Sequence, residues 1–276
     1  TLIFHNFKVL DFKKTINIDY LGVFIINIID THCHLGKSCF TNIETREEEL
    51  IKAMDINKIT ACLLIPQVIN GDVRPLHNRI AEMSKKFPGR IFGVANMNPW
   101  VEDEVFRKEI KNCIEEKKFV ALKLNTSGHN ISPLSPYCNK IYELADYYQV
   151  PVIVHTGLGV PHALPSLVLE PAKNFPRVNF ILAHAGFAIY TDEAIVTAIN
   201  ADNVFLEPSW CPTYALEKMI NRLGVSRIIV GSDHLSNLPV ELVKFKSINL
   251  SEHQLEQVFF KNPIQLFKLK LKNISI

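Results

Sequence analysis

The sequence predicts a mixed α/β protein folded as a single (β/α)8 barrel of the TIM type, and three observations predict it. The chain has 276 residues, a length that α/β barrels commonly reach as one domain. Beyond residue 23, short apolar runs rich in β-formers alternate with longer helical patterns, the signature of parallel βαβ units. The runs number eight, the count such a barrel requires. An open doubly wound sheet is the alternative. It normally carries a Gly-rich phosphate turn after its first strand, whereas here the first run leads straight into "DTHCHLG".

The elements follow in order. The first run is "VFIINIIDTHC" (23–33). After it, "TREEELIKAMDINK" (45–58) has Thr45 and Glu48 at capping-box spacing, with Leu50, Ile51 and Met54 on one side. "TACLLIP" (60–66) precedes a helix whose Leu76, Ile80, Met83 and Phe87 form one stripe. "RIFGVANMN" (90–98) and "FVALKLN" (119–125) come next. "SPYCNKIYELADYYQ" (135–149) then sets Tyr137, Ile141, Leu144 and Tyr148 at core spacing. "VPVIVHTG" (150–157), "VNFILAHAG" (178–186) and "NVFLEPS" (203–209) are the fifth to seventh runs. "YALEKMINRLG" (214–224) ends on Gly224 as a C-cap, and "RIIVGSD" (227–233) is the eighth run. No repeat or linker divides the chain, so residues 1–23 read as an N-terminal extension and 24–276 as one barrel domain.

Composition narrows the function. With 47% hydrophobic and 21% charged residues and only 11 Gly, disordered and collagen-like classes are excluded. Thirty basic residues are scattered among 28 acidic ones, without the stripe expected of a nucleic-acid or membrane surface. A small-molecule substrate is the expected partner, and a homodimer is compatible with the sequence. The six cysteines, at 33, 39, 62, 113, 138 and 211, form no CxxC pair and read as reduced thiols of a cytoplasmic protein. "LGVFIINII" is too short to span a bilayer. "TLIFHNFKVLDFKK" lacks the layout of a secretory signal.

The polar residues concentrate where a barrel does its chemistry, at the C-terminal ends of the strands. His32 and His34 end the first run, His155 the fifth, His184 the sixth and Asp233 the eighth. A single His-x-His pair carries little weight, since chance gives roughly 0.4 of them at this histidine content. Strand side chains repeat every two residues, however, so His32 and His34 point the same way and can share an ion while Cys33 points away. Imidazoles with a carboxylate suit zinc and similar divalent ions, and burying so many polar groups without such a use is unfavourable. His5, His77 and His253 fall in the tail or on helical patterns and read as solvated. His129 and His162, in loops after strands, can reach substrate. His234 should point away from Asp233 if the strand continues. Lys123 reads as a structural or substrate-anchoring lysine, or as a carboxylated bridge between two metals. Asp30 reads as supporting His32, while Glu207, Trp210 and Trp100 either line the pocket or pack.

The ordered set "IDTHCH", "VPVIVHTG", "FILAHAG" and "IIVGSD" resembles the amidohydrolase superfamily, in the amidohydrolase-2 branch related to aminocarboxymuconate-semialdehyde decarboxylase. The resemblance spans 28–268. It implies a deformed (β/α)8 barrel holding one divalent metal, zinc, on His32, His34, His155 and Asp233, with His184 as acid/base or electrophile. The eighth run continues "GSDHLSNLP" where the branch commonly has "GSDxP". Lys123 occupies a position compatible with a second metal in more distant relatives, with Lys123 and His184 as its ligands.

From these residues the expected activity is metal-dependent hydrolysis of a small ester, lactone or amide, with Asp233 and His184 catalytic and Lys123, His129, His162 and Trp210 contacting substrate. Non-oxidative decarboxylation of an unsaturated or aromatic acid on the same site is the alternative. It requires a cation, from Lys123 or Arg74, to hold the carboxylate. A non-catalytic metal-binding barrel is a minor third reading. A TatD-type nuclease shares the opening motif but has "ETD" where this chain has "GSD".

Overall fold

A computed structural model describes residues 26–39, 42–69 and 71–271. The expected extension over 1–23, His5 and the start of the first run lie outside them. The fold is mixed α/β around one eight-stranded sheet in the order β2-β1-β3-β4-β5-β6-β7-β8. The strands are β1 (Ile29–Lys37), β2 (Glu44–Thr45), β3 (Ala61–Pro66), β4 (Ile91–Asn96), β5 (Ala121–Leu124), β6 (Val152–His155), β7 (Phe180–Ala183) and β8 (Val204–Glu207). Every pairing is parallel except the two-residue β1–β2 ladder.

Seven of the eight expected runs form ladder strands. The eighth, around Ile228–Asp233, makes only isolated bridges, Leu206 to Ile228 and Cys33 to Asp233. It still bonds to both neighbours: Ile229 N donates to Leu206 O on one side, and Ser232 N to His32 O on the other. Asp30 strengthens that second seam by accepting from Ser232 N at 2.9 Å and from Ser232 Oγ at 2.6 Å.

Two faces of the sheet explain its stability. Outside, helices α1 (Glu47–Ile56), α2 (Arg74–Lys86), α3 (Asp103–Lys111), α4 (Asn139–Tyr148), α5 (Leu169–Asn174), α6 (Thr191–Ile199), α7 (Thr213–Leu223) and α8 (Leu238–Ser247) follow the strands. They bury stripes such as Leu50 and Met54, or Leu76, Ile80 and Met83, in one continuous core. Inside, Ile29, Leu63, Val94, Ala121, Ile153, Ile181 and Ile229 form a separate apolar cluster, joined by Phe260, Leu266, Phe267 and Leu269 from the C-terminal helical region. Each large aliphatic side chain so buried contributes roughly 1.5–3 kcal/mol. Strand alternation then presents the next inward positions, two residues on, as the polar layer: Lys123 after Ala121, His155 after Ile153, Glu207 after Phe205.

Local expectations fare unevenly. Gly224 caps α7 at φ 75°, its N–H bonded to Ile220 O. Helix α1 starts one residue later than Thr45 and Glu48 imply, because Thr45 is taken by β2; Arg46 is the N-cap, its N–H donating to Glu49. Tyr137 lies before α4 and is exposed, while Tyr142 takes the buried place. His253 is exposed as expected. His77 is not: it is fully buried, with Nδ1 2.8 Å from Glu109 on α3 and Nε2 accepting from Asn96 N. The helical stripe identifies the buried side of α2 but cannot reveal a partner on the next helix. All six cysteines are free thiols. Among the described residues no helix is long and apolar enough to cross a membrane.

Candidate metal centre and active site

His32 and His34 lie two residues apart on β1, at and just beyond a register shift between Asp30 and Cys33, and strand alternation turns both the same way. Nδ1 of His32 faces Glu207 Oε2 at 2.8 Å, and Nδ1 of His34 faces Pro66 O at 3.4 Å. With an acceptor opposite each Nδ1, that nitrogen carries the proton and both Nε2 atoms are acceptors, that of His32 with Lys123 Nζ 3.2 Å away. The two Nε2 atoms lie 3.1 Å from each other and 3.3 Å from Asp233 Oδ1.

Three acceptor atoms aimed at one another repel unless a cation lies between them. Donors about 2.0–2.1 Å from a tetrahedral metal are separated by about 3.3 Å, so the spacing and chemistry of this set fit a divalent cation. Burial holds His32 well below the usual imidazole range, which keeps it in the ligating form. Burial alone would raise Asp233, but the surrounding imidazoles of His184, His34 and His32 outweigh it and hold the carboxyl well below its usual range.

Glu207, which sequence reasoning left between lining and packing, organises the site. Besides His32 it accepts from Ser209 N at 2.7 Å and Ser209 Oγ at 2.9 Å. Ser209 Oγ is also 2.8 Å from His184 Nδ1. With the hydroxyl proton directed to Glu207, His184 donates through Nδ1 and keeps Nε2 unprotonated. One carboxylate thereby orients two imidazoles. A signal existed, since Glu207 ends its strand as His155 does.

His155 ends β6 with its ring 4.7 Å from that of His184, and its Nε2 is buried without a hydrogen-bond partner. It stands outside the tight cluster formed by His32, His34 and Asp233. Lys123 is buried with Nζ 3.2 Å from His32 Nε2. Burial brings its pKa down to about 8, against the pull of Asp233 and Glu207.

Above these groups opens a cavity of about 360 Å³, lined by His34, His155, His184 and Asp233 together with Phe187 and Trp210. His234 also lines it, and the condition under which it should point away from Asp233, a continuing strand, is not met. The strand does not continue past Asp233, whose φ is +63°. His184 at +67° and Trp210 at +65° share that left-handed conformation, and such outliers collect at functional sites. His129 faces a separate cavity with Asn96 and Arg74, and His162 lies in the Pro161–Ala163 turn away from the lining. Arg74 is engaged by Asp72 at 2.7 Å. Trp100 bonds through Nε1 to His129 O and stacks on Tyr137, outside the pocket lining.

The family model for amidohydrolases matches residues 66–269. No curated protein matches the chain. Among solved structures, 5-carboxyvanillate decarboxylase from Sphingomonas paucimobilis is 12% identical with a TM-score of 0.72, over 89% of this chain and 100% of that one. The probable 2-pyrone-4,6-dicarboxylic acid hydrolase of Acinetobacter baumannii is 17% identical with a TM-score of 0.63, over 88% and 99%. A 5-carboxyvanillate decarboxylase from Novosphingobium aromaticivorans, complexed with manganese and 4-hydroxy-3-methoxy-5-nitrobenzoic acid, is 14% identical with a TM-score of 0.70, over 88% and 96%. At these identities the likeness is one of fold.

Proposed function

The chain belongs to the amidohydrolase family, and from that premise we propose that it is a metal-dependent hydrolase of a small ester, lactone or amide. The observation that carries this reading is the meeting of His32 Nε2, His34 Nε2 and Asp233 Oδ1 within 3.3 Å of one another beside a substrate-sized cavity. With His155 they would hold one divalent cation, and zinc suits the nitrogen-and-carboxylate set. Bound there, it would supply Lewis acidity and lower the pKa of water toward neutrality.

The chain's own residues do the rest. His184, donating through Nδ1 to Ser209, offers an unprotonated Nε2 that takes up a proton as the carbonyl is attacked and returns it to the leaving group. Asp233 contributes a carboxylate held ionised among imidazoles. Phe187 and Trp210 give the substrate an apolar wall, with Trp210 the one member of the expected substrate set that lines the cavity. Residues 24–276 form, in this reading, one (β/α)8 barrel whose eighth staves are the residues around Ile228–Asp233. The protein is read as cytoplasmic, with a homodimer allowed.

A decarboxylase using the same metal site is the second reading, supported by the likeness in fold to two 5-carboxyvanillate decarboxylases. The purified protein, assayed for bound metal and then screened with lactones, esters, amides and unsaturated or aromatic acids, separates the two. Acid release with water addition is the expected result. Release of CO₂ without water addition contradicts the hydrolase.

A further inference from the structure

Trp210 stands in the loop after β8, and its indole Nε1 donates to Asp233 Oδ2 at 2.8 Å. The other oxygen, Oδ1, is the one facing His32 and His34. The two lone-pair-bearing ends of one carboxylate are therefore divided between an N–H donor and the imidazole cluster.

The loop is built to hold that geometry. A bulky residue at φ +65° is disfavoured and persists only when its surroundings enforce it. Helix α8 does so from both sides of Trp210. Glu241 Oε1 accepts from Trp210 N at 2.8 Å and from Asn237 Nδ2 at 3.0 Å. Lys244 Nζ donates to Pro208 O at 2.7 Å and to Cys211 O at 3.0 Å, and pairs with Glu241. Both charged side chains are buried. Burying an ion pair is justified only when its remaining hydrogen-bonding capacity is used, and here it is spent on the backbone on either side of Trp210.

We propose that Trp210 is a positioning residue: its indole N–H fixes the Asp233 carboxylate so that a single oxygen is presented to the metal, and the Glu241–Lys244 clamp on α8 fixes Trp210. The inference rests on the metal-site reading above. A donor bonded to a ligand's free oxygen orients that ligand, and removing such a partner typically lowers metal affinity by roughly 10–100-fold. An aromatic residue serving only as pocket wall has no such effect when its ring is kept.

The test is zinc affinity, measured by chelator competition, for wild type, Trp210→Phe and Asp233→Ala, with circular dichroism to establish folding. Trp210→Phe keeps a ring and loses the donor; an affinity loss of roughly 10-fold or more with an unchanged spectrum is expected. In a Trp100→Phe background Trp210 is the sole tryptophan, since the chain has two, and its emission should change as zinc is added. Wild-type affinity in Trp210→Phe, or emission indifferent to zinc, overturns the proposal. If Asp233→Ala abolishes zinc binding in that case, the metal reading survives and only the role of Trp210 falls. If Asp233→Ala binds zinc as wild type does, the metal reading itself fails.

Discussion

Glu207 Oε2 lies 2.8 Å from His32 Nδ1, joining the last residue of β8 to the first strand across 175 residues of chain. The contact decides which nitrogen of His32 is free. A carboxylate behind an imidazole fixes its tautomer and raises its basicity, and through Ser209 the same carboxylate reaches His184. Burial raises the Glu207 carboxyl to about 7, against the Ser209 hydrogen bonds. Positioning two imidazoles thus depends on one buried acid.

Glu207→Gln should therefore fold normally and bind metal roughly 10–100-fold more weakly than wild type. Chelator competition measures the loss, and an unchanged affinity would show that Glu207 merely packs.

Gly231 makes the pairing possible. A Cβ at this position would come within 2.6 Å of His32 Cβ and 2.8 Å of Glu207 Cδ, closer than packed atoms tolerate. Gly231→Ala should push these two side chains apart, cost about 1–3 kcal/mol by overpacking and lower metal occupancy. Denaturant titration together with metal analysis checks both effects, and wild-type values in both would contradict the account.

Asp233→Asn should abolish turnover while leaving the thermal unfolding midpoint close to that of wild type. The carboxylate is at the pocket, not in the apolar interior cluster. Activity equal to wild type would remove Asp233 from the site.

The buried pair of His77 and Glu109 predicts a pH dependence of stability. Burial would raise the Glu109 carboxyl, but hydrogen bonds from His77, Asn112 and Cys113 more than offset it and bring it down to about 2 from an ordinary 4.5. Lys117, 3.7 Å away, is the nearby cation. Because the folded state binds the proton less readily, this stabilisation is present above about pH 4.5 and is lost as pH falls toward 2. Urea titrations from pH 7 to pH 3 should show a steeper loss in wild type than in Glu109→Gln. Parallel curves would contradict it.

Much of this is legible in the sequence, and the failures have physical causes. Strand runs followed by a polar residue identify His32, His34, His155, Lys123, His184 and Asp233, because a buried strand leaves its last inward position facing the mouth. The same signal marks Glu207, but nothing local distinguishes a residue that orients ligands from one that packs. Trp210 is foreseen at the pocket; its bond to Asp233 depends on a loop held by α8 and has no local signature. His77 is misread because a helix sequence does not tell which neighbour will supply a carboxylate. His129 and His162 lie off the lining of the site cavity, because loop direction is set by tertiary contacts. His234 joins the cavity lining where the strand ends at Asp233.

The central claim is one divalent cation per chain, and the most direct measurement is elemental analysis of the purified protein alongside His34→Ala. The account predicts about one equivalent in wild type and a large loss in the variant. Equal metal content in the two proteins would contradict the site, and two equivalents with a carboxylated Lys123 would replace the one-metal centre.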